Sequence, residues 1–240
     1  MKSIVSRLAA AAAFTLALAA SSAHADVYVD PTPEAPYSLF TSVQGSVSYD
    51  GWNNLSRTGL GFAASDTAGA TAALVGGIQA NVAGSGDAVL TRLTGTIYPS
   101  GSALYNAGNN NPHVLEIADT TLVSGIGSLV LQSYVGLLQA GSYATAVLNV
   151  NGGSQSLAAD SVVGVVNGAD GEAYRTWTWD LGGLGPVDSY SLLVTVGGGA
   201  VQVWGFQVDQ IAAVPEAGTT AMMVAGLGLM GLMLRRRRAA

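Results

Sequence analysis

The chain has 240 residues, with nine Lys and Arg, fifteen Asp and Glu, two His and no Cys, for a formal net charge of −6. The charge is divided unevenly: every acid lies between Asp26 and Glu216, where the only cationic side chains are Arg57, Arg92 and Arg175, so this body sets three positive charges against fifteen negative ones, a net −12. Such a body repels phosphate backbones, which excludes direct nucleic-acid binding, and without cysteine its stability must come from burial alone.

At the N-terminus, Lys2 and Arg7 supply positive charge, residues 8–20 form an apolar run, and small residues stand at Ala23 and Ala25. A charged front, an apolar stretch and an A-x-A ending predict a secretory signal peptide over residues 1–25, cut between Ala25 and Asp26 after export by the Sec machinery. Export leads to an oxidising compartment, where small folds often rely on disulfides that this chain cannot form. Pro31, Pro33 and Pro36 then make residues 26–40 an extended lead-in.

Residues 41–213 read as one all-β domain. In "VQGSVSYD" Val43, Val47 and Tyr49 are apolar while Gln44, Ser46, Ser48 and Asp50 are polar, the period of two of a half-buried strand. The alternation returns in "TRLTGTIY", "HVLEIADTTLV", "GSLVLQSYV", "YATAVLNVN", "YRTWTWD", "DSYSLLVTV" and "VQVWGFQVDQI". Turn-forming clusters such as "NAGNNNP", "NGADGE" and "LGGLGP" separate these runs. Short strands punctuated this way predict an antiparallel β-sandwich of jelly-roll type. One stretch resists: "SDTAGATAALVGGIQANVAGSGDA" is alanine-rich, but glycines at 69, 76, 77 and 84 each oppose helix by about 1 kcal/mol, and it is read as irregular or weakly extended.

The tail departs sharply from the body. Residues 217–234 carry no charge and as a helix would span about 27 Å, enough for the hydrocarbon core, and Arg235, Arg236, Arg237 and Arg238 follow at once. The positive-inside rule then places these arginines in the cytoplasm and the body outside the inner membrane. Gly226, Gly228 and Gly231 match a dinucleotide-binding fingerprint, but with no strand before them and only nine residues after them they are small residues of a membrane helix.

"VPEAGT" at residues 214–219, the Gly-rich apolar run containing "GLGLMGL" and the terminal arginine cluster together resemble the PEP-CTERM sorting signal of exopolysaccharide-producing Gram-negative bacteria. The family's third motif position is usually proline, and here it is Ala217. The resemblance, which covers residues 214–240, implies that an exosortase recognises Val214, Pro215 and Glu216 and processes the tail, releasing or transferring the body to the cell surface or extracellular matrix. An ordinary single-pass anchor is the alternative.

Within the body, chemistry-bearing residues are sparse. After signal removal His113 is the sole histidine, so any Ser-His-Asp arrangement must use it, and a histidine at the exit of a turn is its ordinary explanation. No paired metal histidines and no G-x-S-x-G occur, and nothing in the spacing of the fifteen acids selects a glycosidase pair. Catalytic and metal residues are therefore expected to be absent. The oxygen-rich turns around Asp50 and over residues 167–172 leave calcium as the one cofactor alternative, although neither has full EF-hand spacing. Trp177 and Trp179 share one strand face and, with Trp52, could stack on sugars, core packing being the competing account. Trp204, Phe206 and Val208 read as one buried face. Two functions remain open: a non-catalytic surface or matrix protein associated with exopolysaccharide, biofilm or floc formation, and a surface-displayed polysaccharide hydrolase or lyase.

Overall fold

The computed structural model describes residues 43–107, 111–137, 144–167, 172–197, 200–213 and 227. The signal peptide with its cleavage residues Ala23, Ala25 and Asp26, the lead-in over 26–40, the motif residues Val214, Pro215 and Glu216, the span over 217–234 apart from Leu227, and Arg235 to Arg238 lie outside the described residues. Among the described residues no helix is long and apolar enough to cross a membrane.

The body lies within one compact unit, Ala25–Ala213, made of two antiparallel sheets. The larger sheet runs, in spatial order, β10 (Ser161–Asn167), β11 (Glu172–Asp180), β7 (Ile126–Leu137), β13 (Ala200–Ala212), β5 (Leu104–Ala107) and β4 (Tyr98–Pro99). β1 (Ser46–Trp52) joins it by pairing with the second half of β13, from Phe206 to Ile211, while β5 takes the first half. The smaller sheet runs β2 (Ile78–Gln79), β3 (Val89–Thr94), β6 (His113–Asp119), β12 (Tyr190–Val196), β8 (Ala144–Val150) and β9 (Gln155–Ala158).

One shared core joins the layers. Leu115 and Ile117 of β6, Leu148 of β8 and Leu192 and Val194 of β12 meet Leu129 and Leu131 of β7, Trp177 and Trp179 of β11, and Phe206 and Val208 of β13. Burying each aliphatic side chain contributes roughly 2 kcal/mol. Polar bonds also cross between the layers: the Arg175 guanidinium donates to the Ala144 carbonyl at 3.1 Å, and the Gln210 amide to Asp119 Oδ2 at 3.0 Å. On β6 and β12 burial alternates residue by residue, because one face of this sheet sees the core and the other does not.

Three sequence expectations need correction. First, on β1 the apolar residues Val47 and Tyr49 do not face the core; Asp50 and Trp52 do, and Val47 is 50% exposed. Segment 81–86 folds over this strand instead, with the Tyr49 hydroxyl donating to the Ala83 carbonyl, while Asp50 turns inward to accept from the Ala88 amide. Second, the alanine-rich stretch contains a helix, α1 (Thr67–Gly76). Asp66 caps it by accepting from the Gly69 amide at 2.8 Å, and Gly77, at φ +100°, ends it. Of the four glycines only Gly69 opposes the helix internally, since Gly76 and Gly77 terminate it and Gly84 lies beyond; burial of Ala70 and Leu74 supplies the packing.

Third, Trp204 does not share a face with Phe206 and Val208. The register between β13 and β7 shifts between Val203 and Gly205, so the strand carries one extra residue there. Val203 and Phe206 both point into the core, and Trp204 is left on the opposite face.

Candidate functional site

The three tryptophans for which sugar stacking was weighed against core packing are core residues. Trp52 and Trp179 have no exposed surface and Trp177 is 2% exposed. Their indoles are tied across the sandwich: Trp52 Nε1 donates to the Ile78 carbonyl and Trp179 Nε1 to the Leu157 carbonyl, each at 3.2 Å. A buried indole N–H needs an acceptor, and the edge strands β2 and β9 of the opposite sheet provide them. A sugar has no access to these rings.

Aromatic surface appears elsewhere, on the outer face of the larger sheet. Tyr174 of β11 stands opposite Tyr134 of β7, and their rings stack 4.3 Å apart at 5°. Trp204 of β13 continues the row, 6.0 Å from Tyr134 at 23°. Three adjacent strands thus contribute one ring each. The indole edge lies over Gly136, where an added Cβ would stand 3.0 Å from Trp204 Nε1. Both tyrosines are buried and Trp204 is half-buried, so the indole is the ring of the row that retains contact with solvent. Trp204 Nε1 and Thr176 Oγ1 have no hydrogen-bond partner among the described residues.

Further along this face the side chains become polar. Asp209 accepts from Gln207 Nε2 at 2.9 Å, from Gln132 Nε2 at 3.4 Å and from the Val43 amide at 3.4 Å. Burial pushes its carboxyl upward, against the lowering effect of these bonds. The half-buried indole is suited to stacking, while the amide and carboxyl groups further along the face are buried and bonded to one another.

A second polar cluster lies inside the sandwich. Asp50 Oδ1 accepts from the Ala88 amide at 3.2 Å, while Oδ2 has no partner among the described residues. Burial is the main cause that raises this carboxyl from 3.8 to about 6; the Ala88 bond opposes it, and the charges of Asp119 and Asp87 reinforce it. Asp119 is held by the Thr121 amide at 2.7 Å and by Gln210, and Asp87 accepts from the Thr121 hydroxyl. The Tyr190 hydroxyl, buried and likewise without a described partner, is pushed well above its ordinary range by burial and then by these carboxylates.

No group of three acidic, histidine or cysteine side chains among the described residues is arranged to hold a metal. The oxygens of the Asp50 turn diverge: Asp50 points inward, whereas the Asn54 carbonyl accepts from the Asn81 side-chain amide at 3.2 Å. Residues 168–171 of the other turn considered for calcium lie outside the described residues.

His113 opens β6 and is fully buried. Its Nδ1 accepts from the Thr96 amide at 3.0 Å, which leaves the proton on Nε2, and Nε2 has no described partner. Burial, and then the Arg92 charge, lower its pKa. The ring packs against Gly95, whose φ of +88° and lack of Cβ allow the approach. It is a structural histidine, with no hydroxyl poised against its nitrogens among the described residues.

Where β13 ends, the chain is clamped. The Ala213 amide donates to the Gly125 carbonyl at 2.8 Å, and a Cβ on Gly127 would stand 2.6 Å from Ala213 Cα. A cleft of about 360 Å³ opens beside this exit, between the turn at Leu181, Leu184 and Pro186 and the residues around Ile126.

A two-layer antiparallel β body that hands its longest strand directly to a C-terminal tail is the class of protein defined by this fold and exit. The tail itself matches the family described as the PEP-CTERM protein-sorting motif, over residues 213–238, so the chain carries that sorting motif from the clamped Ala213 onward. Such a motif implies an exported precursor that an exosortase processes. Among solved structures the chain is similar to a carbohydrate-binding module, TmCBM27, studied for specific mannan recognition, at 13% identity over 51% of this chain and 73% of that one, with a TM-score of 0.24. It is also similar to CBM28, a carbohydrate-binding module specific for non-crystalline cellulose, at 12% identity over 76% of this chain and 98% of that one, with a TM-score of 0.30. No curated protein matches the chain.

The sequence singled out none of the outer-face row except Trp204, and assigned that residue to the wrong side. Tyr174 has the opposite parity to Trp177 and Trp179, which signals the other face. Nothing in a linear reading pairs it with Tyr134.

Proposed function

We propose that the chain is an exported, non-catalytic protein of the cell surface or extracellular matrix, delivered there by exosortase processing and associated with exopolysaccharide in biofilm or floc. After Sec export the precursor is held in the inner membrane by residues 217–238, with its body outside. Pro215 and Glu216 stand at the outer boundary, where the exosortase acts. The sorting motif at residues 213–238 is the observation that carries this reading.

The polysaccharide is met by the outer face of the larger sheet. Trp204, backed by the stacked Tyr134 and Tyr174, supplies the ring for sugar stacking. The acidic body contacts anionic polymers through divalent cations, since like charges otherwise repel. Support for a non-catalytic role comes from burial: Asp50, Asp209 and His113, three groups with displaced pKa values, have no exposed surface from which to reach a substrate. The hydrolase or lyase alternative draws no support from them.

Processing is tested by following the full-length protein in three strains: wild type, a host lacking its exosortase, and a Glu216→Ala variant. Wild type should place a shortened product, without the arginines, at the surface or in the matrix, while the other two should accumulate full-length chain in membranes. Equal masses and locations in all three would mean that the tail is a plain anchor.

A further inference from the structure

The sheet edges are not protected alike. β4 and β2 are two residues long, β4 contains Pro99, which has no N–H to offer, and β9 is four residues long. The free edge of β1 is occupied: the Asn81 and Val82 amides donate to the Gly51 carbonyl and the Gly86 amide to the Tyr49 carbonyl. Short length, proline and a covering segment are the ordinary devices that stop a strand from recruiting another.

Among the described residues β10 has none of them. It pairs with β11 along its whole length, from Ser161 opposite Thr178 to Asn167 opposite Glu172, and its other edge meets no described strand. Its seven residues, "SVVGVVN", include four valines, no charge and no proline. Val162 and Val163, neighbours that point to opposite faces, are 53% and 59% exposed. Leaving large β-branched side chains in solvent on both sides of an edge that no described segment covers is unfavourable in an isolated chain.

The sequence of this edge also identifies its partner. "VVGVV", residues 162–166, reads the same in both directions. Antiparallel pairing with an identical strand, centred on Gly164, brings position 162 opposite 166 and 163 opposite 165, a valine opposite a valine each time, with glycine opposite glycine at the centre. A slip of one residue turns the second copy's faces over, and a slip of two sets glycine against valine, so a single register is favoured. We propose that β10 is a self-association edge, through which a second copy of this chain pairs β10 to β10 about a two-fold axis at Gly164 and joins the two larger sheets into one. The contact is isologous and occupies each copy's β10, and the other edges are guarded, so association stops at the dimer instead of continuing into fibres.

The absence of cysteine permits a direct test. Cα atoms of directly opposed antiparallel residues lie about 4.5–5.5 Å apart, within disulfide range. A Gly164→Cys substitution in the full-length chain, oxidised and run without reductant, should give a disulfide-linked dimer as the main species. Ser156→Cys on β9, as control, should remain monomeric. Adding Val163→Lys to Gly164→Cys should reduce the cross-linked fraction at least tenfold with an unchanged far-ultraviolet spectrum, and Val163→Thr takes its place should the lysine variant fail to fold. Absence of cross-linking at residue 164, cross-linking equal to the β9 control, or insensitivity to both Val163 substitutions would overturn the proposal. The readout is independent of sorting and of polysaccharide binding.

Discussion

Tyr134 and Tyr174 stack ring on ring across the β7–β11 pair, 4.3 Å apart and 5° from parallel. Both are buried, and Trp204 extends the stack into solvent. The row therefore has a supporting part and a displayed part, and these can be separated by mutation. Tyr174→Ala should destabilise the fold by about 3 kcal/mol in urea unfolding, as for other large-to-small aromatic truncations. Trp204→Ala should lower stability by less, about 1 kcal/mol, yet reduce polysaccharide retention in a pull-down at least tenfold. Retention equal to wild type would remove Trp204 from the binding surface.

Gly136 sets the position of that indole. Gly136→Ala brings a methyl to 3.0 Å from Trp204 Nε1 and 3.4 Å from Gln202 Cβ. The ring should tilt away, at a stability loss of about 1 kcal/mol, and the change should appear as a shift in tryptophan emission and weaker retention. An unchanged emission maximum would show that the ring accommodates the methyl in place.

The pH profile should carry the signature of Asp50. Its carboxyl is raised from 3.8 to about 6. Between these values the folded chain holds a proton that the unfolded chain has released. Stability from this group is thus full below 3.8 and is lost as pH rises to 6, a loss of roughly 3 kcal/mol from a shift of about two units. Asp209, also raised, acts in the same direction. Asp50→Asn should flatten this slope and leave the protein more stable than wild type at pH 7, as measured by urea midpoints between pH 4 and pH 8.

His113 should act oppositely. Its pKa is lowered from 6.5, so the unfolded chain binds the proton first, and its contribution is present above 6.5 and lost as pH falls toward the folded value. His113→Gln should weaken that part of the acid dependence. An unaltered acid limb would mean that the ring is protonated without penalty.

For α1, Asp66→Ala removes the acceptor of the Gly69 amide and should cost about 1 kcal/mol. Asp66→Asn should retain most of it.

What could be read in advance follows from the range of each interaction. β6 and β12 were legible because one-sided burial writes a period of two into the chain, and the sorting motif because its residues are contiguous. α1 was obscured by counting glycines without their positions: Gly77 ends the helix instead of breaking it. Trp204 was misplaced because the extra residue at Val203–Gly205 reverses parity, and a bulge leaves no mark in an alternating pattern. The faces of Trp177 and Trp179 were read correctly, but the choice between core and platform depended on β9 lying across them. The pairing of Tyr134 with Tyr174, forty residues apart, is a property of sheet order alone.

The two ends of the described body lie at the same end of the sandwich. Ser46, at the start of β1, pairs with Ile211, and Ala213 is bonded to Gly125 beside them, while β13 extends 13 residues, about 43 Å, to the far end. A two-fold axis through Gly164 stands perpendicular to the sheet and turns the second copy head over heels. The two Ala213 exits then lie at opposite extremes of the joined sheets. A single copy presents its exit on one side, whereas the paired form presents one exit at each end of the strand direction.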